Sequence, residues 1–399
     1  GLDKTTAGTT TLSGTNTYSG LTTISSGVLA ANSASALGST AGGTTVVAGA
    51  GLQLNGASIG AEPLTLNGSG VGGVGALSST GSSSLGGAIT LASNTTIGST
   101  GSLALNGTVD GGFDLAINST SAVTIGGNVG VGAALTSLAT DTGGSTVIGS
   151  GVVIRTSGTQ VYLDAVTAPS VTLTSTGSSI TAVNAANDFG TLSLNGSNAT
   201  IRDGSGITLG TSALNVGGGS KFLDLTAGGD VTQSGALTVV NDLWISASGE
   251  ISLKTLNTLS GTVSLIAGAG KDVWLNASRI EVGVSRLSNA SSVLVGISGE
   301  HVTLEAPSGA AFIGNGANGL VKAMASLSST PALTIKATGA IGSSPTDALN
   351  VETSGLVKVE GDGVGDGTIN LKGDDKIQPK YEFSGDLLHR KVLYNGNEA

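Results

Sequence analysis

The 399-residue chain has no cysteine, 6 prolines, 1 methionine and only 2 Trp, 4 Tyr and 5 Phe. Without cysteine there are no disulfides and no thiolate metal sites. Charged residues make up 11% of the chain, against about 25% in ordinary proteins, so charge-driven disorder does not apply. Few prolines beside 67 glycines rule out collagen, which needs abundant proline on a strict three-residue period. Basic residues are scarce as well: 16 Lys plus Arg against 26 Asp plus Glu leave a net charge of −10. A phosphate backbone or an anionic membrane surface requires the opposite sign, so neither nucleic acid nor an acidic bilayer is an expected partner. Mean hydropathy is +0.30. Yet no run approaches the roughly 18 apolar residues of a spanning helix, so no membrane insertion of this segment is expected. The opening GLDKTTAG does not have a charged region followed by an apolar block.

What the chain has is repetition. From Thr9 to Thr40 it is almost all Thr, Ser, Gly and Ala, carrying isolated aliphatics such as Leu12, Leu21, Ile24, Val28 and Leu29. Later, LDLTAGGDV starts at Leu223, LWISASGEI at Leu243 and VSLIAGAGKDV at Val263, steps of 20 and 20. VTLTSTGSSI at Val171 and LSLNGSNATI at Leu192 are 21 apart, and the beat resumes in LVGISGEHV at Leu294 and LTIKATGAI at Leu333. Period-two alternation marks strands with one buried face, with Leu223, Leu225 and Val231 inward. Gly and Asn at the corners supply positive φ. One coil per twenty residues is the size of a β-helix rung, and the expected fold is an all-β parallel solenoid. Its inward positions would stack into aliphatic columns and its outward ones into Thr and Ser ladders. A narrow coil also leaves little room for large aromatics. An antiparallel sandwich or a closed barrel is the competing fold. It would place strands 8 to 12 residues apart, and L-x-L-N-G recurs at Leu52 and Leu64, 12 apart.

LSGTNTYSGLTTISSGVLAANSASALG, Leu12 to Gly38, resembles the passenger-associated repeat of bacterial autotransporters. The matching features are Gly14, Asn16, Thr17, Tyr18, Gly20, Thr22, Thr23, Gly27 and Ala36-Leu37-Gly38. The A-x-G-x-[IV] rungs, such as Ala227 to Val231 and Ala337 to Ile341, are similar more loosely to filamentous-haemagglutinin-type exoproteins. This resemblance implies a right-handed β-helix exposed at, or released from, a bacterial surface, with adhesion or a structural role rather than catalysis. The C-terminal YEFSGDLLHRKVLYNGNEA departs from it, since an autotransporter barrel needs many amphipathic strands of about ten residues.

Composition divides the chain into three parts. Residues 1–110 are nearly uncharged, residues 111–371 are more regular rungs with scattered charge, and residues 372–399 are abruptly charged. An open solenoid end presents unpaired strand edges, so the tail reads as a cap or as a docking segment for a further copy.

Candidate chemistry is thin. GASIG around Ser58 has a nucleophile-elbow spacing, but no helix follows and the histidines are His301 and His389 alone. GSGVGG, Gly68 to Gly73, copies a dinucleotide fingerprint without the strand–helix unit that gives it meaning. GDGVGDG with the downstream aspartates makes Asp362, Asp366 and Asp374 the candidate calcium ligands, since carboxylates at glycine turns gather oxygen donors. The spacing fits neither an EF-hand nor a calcium β-roll, and solvated turns explain it more simply. Asp230, Glu250 and Asp272 lie 20 and 22 apart and are expected to stack at one corner. There they would serve as the acids of a polysaccharide-cleaving β-helix or as a wet edge. Trp244 and Trp274, 30 apart, would stack on sugars, fill a core bulge or seal a loop.

Together these readings predict a non-catalytic extracellular surface protein with no cofactor. Its partners would be a host or neighbouring-cell surface, or other copies end to end in a filament. A carbohydrate-cleaving enzyme is the minor alternative.

Overall fold

In the computed structural model of the chain, the described residues are 1–283, 296–307, 313–315, 320–325, 330–337, 349–353, 355–361, 367–372, 381–385, 390–394 and 397–398. The calcium candidates Asp362, Asp366 and Asp374, and His389, lie outside them. The chain divides into two compact units, Gly1–Gly196 and Ser197–Ala399. Both are parallel β-solenoids, and the regular helical structure among the described residues is a single short 3-10 turn at Val71–Gly73. That turn occupies the GSGVGG stretch.

In the first unit each coil contributes to three parallel ladders. One runs through Leu2–Lys4, Thr22–Ile24, Thr44–Val46 and Leu64–Gly68, with Leu2 beside Thr22 and Thr22 beside Thr44, steps of 20 and 22. The second runs through Thr9–Leu12, Val28–Ala31, Gly51–Asn55 and Leu77–Thr80. The third runs through Ser58–Ile59, Ser83–Leu85, Leu103–Leu105, Ala122–Ile125 and Ser145–Ile148. Side chains alternate in and out. Leu29, Leu52, Leu77, Ile97 and Ile117 therefore form one inward column, each at most 2% exposed. Each such side chain contributes roughly 1.5–3 kcal/mol by leaving water.

The 12-residue spacing that suggested hairpins has another origin. Leu52 pairs with Leu77 and Leu64 pairs with Ile89, so the two L-x-L-N-G copies are different walls of one coil. The interior also admits aromatics where a narrow coil was expected to refuse them. Tyr162 and Phe189 are fully buried, because their neighbours in the adjoining coil are small: Ala182 beside Tyr162 and Ala168 beside Phe189.

In the second unit, Leu223 pairs with Leu243 and Leu243 with Val263, so the beat of 20 read in the sequence is the rung itself. A second ladder begins at Ile207–Leu209 and continues through Val231–Gln233, Ile251–Leu259, Val273–Ala277, Val302–Ala306, Leu333–Ala337 and Val357–Gly361. Along it the step grows to 29 from Val273 to Val302 and to 31 from Val302 to Leu333. The coil partner of Leu333 is therefore Val302, the last residue of the LVGISGEHV run and not its first. In the charged tail, Tyr381–Gly385 pairs in parallel with Val357–Gly361 and Arg390–Tyr394 with Gly367–Lys372. Arg390–Tyr394 also pairs antiparallel with Asn397–Glu398.

Candidate functional site

The stacked acids are real as geometry. Val231 pairs with Ile251, Ile251 with Val273 and Val273 with Val302, so the preceding residues Asp230, Glu250, Asp272 and His301 form one column at a corner of the second unit. Asp230 Oδ1 accepts the backbone N–H of Glu250 at 2.8 Å. Asp272 Oδ1 accepts the backbone N–H of His301 at 3.1 Å and lies 2.9 Å from its Nδ1. The carboxylates thus bind corner amides of the next coil, donors that the ladder leaves over. The same device recurs at other corners. Asn94 Oδ1 accepts from Asp114 N, Asp110 Oδ1 from Gly132 N, Asn128 Oδ1 from Val153 N and Asp242 Oδ1 from Thr262 N, at 2.7–3.1 Å. Asp and Asn at corners staple each coil to the next.

Two carboxyls lie inside the first unit instead. Asp164 is 3% exposed. Its Oδ1 accepts from Thr140 Oγ1 at 2.6 Å and its Oδ2 from Thr146 Oγ1 at 2.7 Å. Burial pushes its proton affinity above the ordinary carboxylate range, the two hydroxyls oppose this, and Asp141 adds to the upward shift. Glu62 is 2% exposed and accepts from Thr44 Oγ1 at 2.7 Å. Burial raises it too, with the threonine again opposing. Beside Asp164, Tyr162 donates to Gln160 Oε1 at 3.1 Å, and Gln160 Nε2 donates to Thr174 O at 2.8 Å. Burial, then the Asp164 charge, holds the Tyr162 hydroxyl protonated far above its usual range. Each buried polar group of this cluster has a partner, as the interior demands.

The tryptophans fill no core bulge. Both are half-buried and point outward, on different ladders: Trp244 pairs with Asp224 and Ser264, Trp274 with Ser252 and Thr303. The Trp244 ring lies 5.4 Å from Phe222, tilted by 50°. Trp274 borders a row that the sequence did not single out, in which Asn276, Glu305, Lys336 and Glu360 are successive coil neighbours. Lys336 Nζ is 2.9 Å from Glu305, and Lys358 Nζ is 2.6 Å from Glu360. Lys254 Nζ sits over the indole of Trp274 at 4.7 Å and Lys336 Nζ at 5.8 Å. A cavity of about 270 Å³ opens along this row, lined by Asn276, Glu305, Pro307, Lys336 and Glu360 among others. The pairing of Val273 with Val302 and of Val302 with Leu333 would have revealed it, but steps of 29 and 31 hid that pairing.

Ser58 is exposed on strand Ser58–Ile59, beside Ser84 of the adjoining coil, with no helix after it. No group of three or more His, Asp or Glu positioned to hold a metal occurs among the described residues.

Residues 2–31 match the passenger-associated-transport-repeat family. That stretch forms the first coil and the strand pairs that begin the stack. The chain is an autotransporter-passenger-like repeat protein. The match overlaps the stretch at Leu12 to Gly38 that carries the resemblance and extends it towards the N-terminus. Residues 196–266 match a family described as repeats of unknown function (DUF5649), covering the rungs that step by 20. No curated protein and no solved structure matches the chain.

Proposed function

We propose that this passenger-like solenoid is a non-catalytic protein of the bacterial surface, presented outside the cell as a stiff adhesin-like scaffold. The observation that carries the proposal is the passenger-associated-transport repeat at residues 2–31, built into the parallel coil. The looser likeness of rungs such as Ala227 to Val231 to filamentous-haemagglutinin-type exoproteins supports the same location. The corner chemistry supports a scaffold. Asp230 and Asp272, two of the three acids in the corner column, spend carboxylate oxygens on backbone amides of the next coil. A general acid needs that oxygen facing a substrate pocket.

The test is protease accessibility on intact cells of the source bacterium, followed by attachment of beads coated with purified chain to host cells. Loss of the protein to external protease while a cytoplasmic marker survives, together with bead attachment above an uncoated control, is the expected outcome. Full protection from external protease overturns the location. Surface exposure without bead attachment overturns the adhesin role and leaves a structural one.

A further inference from the structure

The outward row around Trp274 contains two unpaired polar atoms. Trp274 Nε1, a donor, and Asn276 Oδ1, an acceptor, are buried and have no hydrogen-bond partner among the described residues. They lie two residues apart on one strand and therefore project from the same face of the sheet. The Asn276 orientation is fixed, because its Nδ2 donates to the Lys254 carbonyl at 3.1 Å, which turns Oδ1 away from that carbonyl. The unpaired acceptor belongs to a residue that lines the cavity, and it calls for a polar donor. A hydroxyl is one.

The surroundings narrow the ligand further. The cavity of about 270 Å³ sits at the lower edge of small-ligand sites, which run from about 300 to 1,000 Å³. It suits a sugar residue, not a folded partner. Glu305, 19% exposed, and Glu360 offer carboxylate acceptors along one wall, with the Lys336 ammonium as a donor 2.9 Å from Glu305 and 3.9 Å from Glu360. These charges compensate one another within the row, and Lys358 pairs with Glu360 as well. The site therefore has little use for a charged ligand. Lys254, exposed, lies over the indole and outside the cavity lining.

From this we infer that the groove beside Trp274 and Asn276 is a binding site for a neutral saccharide. A sugar hydroxyl donates to Asn276 Oδ1, and others reach Glu305, Lys336 and Glu360, which line the cavity with Asn276. The inference rests on the surface-scaffold reading for its biological sense, since a displayed solenoid meets glycans. Its test uses purified chain, so the two can fail separately.

The chain has two tryptophans, so a W244F background makes Trp274 the only indole reporter. Its fluorescence is titrated with maltose, cellobiose, N-acetyllactosamine and digalacturonate. Saturable binding of at least one neutral sugar is expected. N276A should weaken it by about three- to tenfold, the loss of one hydrogen bond. W274F, read by calorimetry, should keep most of the affinity, because Trp274 borders the cavity without lining it. T232A, on the same ladder but outside the groove, should leave affinity unchanged, and circular dichroism of each variant should match the parent. If W274F does not fold, N276A and E305Q carry the test. No saturation by any sugar, or parental affinity in both N276A and E305Q, overturns the site. Preference for digalacturonate over the neutral sugars overturns the ligand class.

Discussion

Asp230 Oδ1 lies 2.8 Å from the backbone nitrogen of Glu250, one coil further along. Two of the three acids expected to stack at this corner are a side-chain acceptor and a main-chain donor.

This relationship predicts that D230A loses about 1 kcal/mol of unfolding free energy, the net worth of one hydrogen bond to a corner amide. D230N keeps an oxygen in place and should lose little. Urea denaturation of the three proteins checks this. Equal losses in the two variants would mean that charge, not the staple, is what Asp230 contributes.

A pH dependence follows from the buried carboxyls. Asp164 is raised from 3.8 and Glu62 from 4.5, each chiefly by burial. A raised acid binds its proton more tightly in the fold than in the unfolded chain. Its contribution is therefore fully present below the ordinary carboxylate pKa and is lost as pH rises through the folded value. D164N, which carries no charge at any pH, should gain in stability relative to the parent as pH rises above the ordinary carboxylate range of about 4. E62Q should show the same sign. Denaturant midpoints measured as pH rises decide it, and a flat difference would mean that the carboxyls ionise in the fold as they do in water.

Glycine acts at the corners in two distinct ways. Gly27 and Gly56 have φ of 66° and 62°, the left-handed conformation expected of a tight turn. Gly87, Gly107 and Gly127 step by 20 and are needed for closeness instead: a Cβ on Gly107 would lie 2.1 Å from the Gly87 carbonyl oxygen, and one on Gly127 would lie 2.2 Å from that of Gly107. G107A should therefore destabilise the first unit by about 1–3 kcal/mol through overpacking. G112A, where a Cβ meets nothing within 4 Å, should stay within about 0.5 kcal/mol. Thermal unfolding of the two separates them. Similar melting points would remove the close-approach argument.

Period-two alternation and the beat of twenty were legible in the residues, because a solenoid writes its inward face into every strand and repeats it each turn. Leu223, Leu243 and Val263 pair as their spacing required, and the corner stack of Asp230, Glu250 and Asp272 followed from simple addition. The sequence determined the type of fold, since alternating aliphatics among Thr and Ser bury surface only as strands. Tertiary structure decided which residues become neighbours across coils, because a corner can lengthen without disturbing the ladder on either side. Steps of 29 and 31 therefore moved the partner of Leu333 to Val302 and set Asn276, Glu305 and Lys336 in one row. It also decided what fits inside. Phe189 is buried because Ala168, in the coil before, leaves the volume that its ring fills.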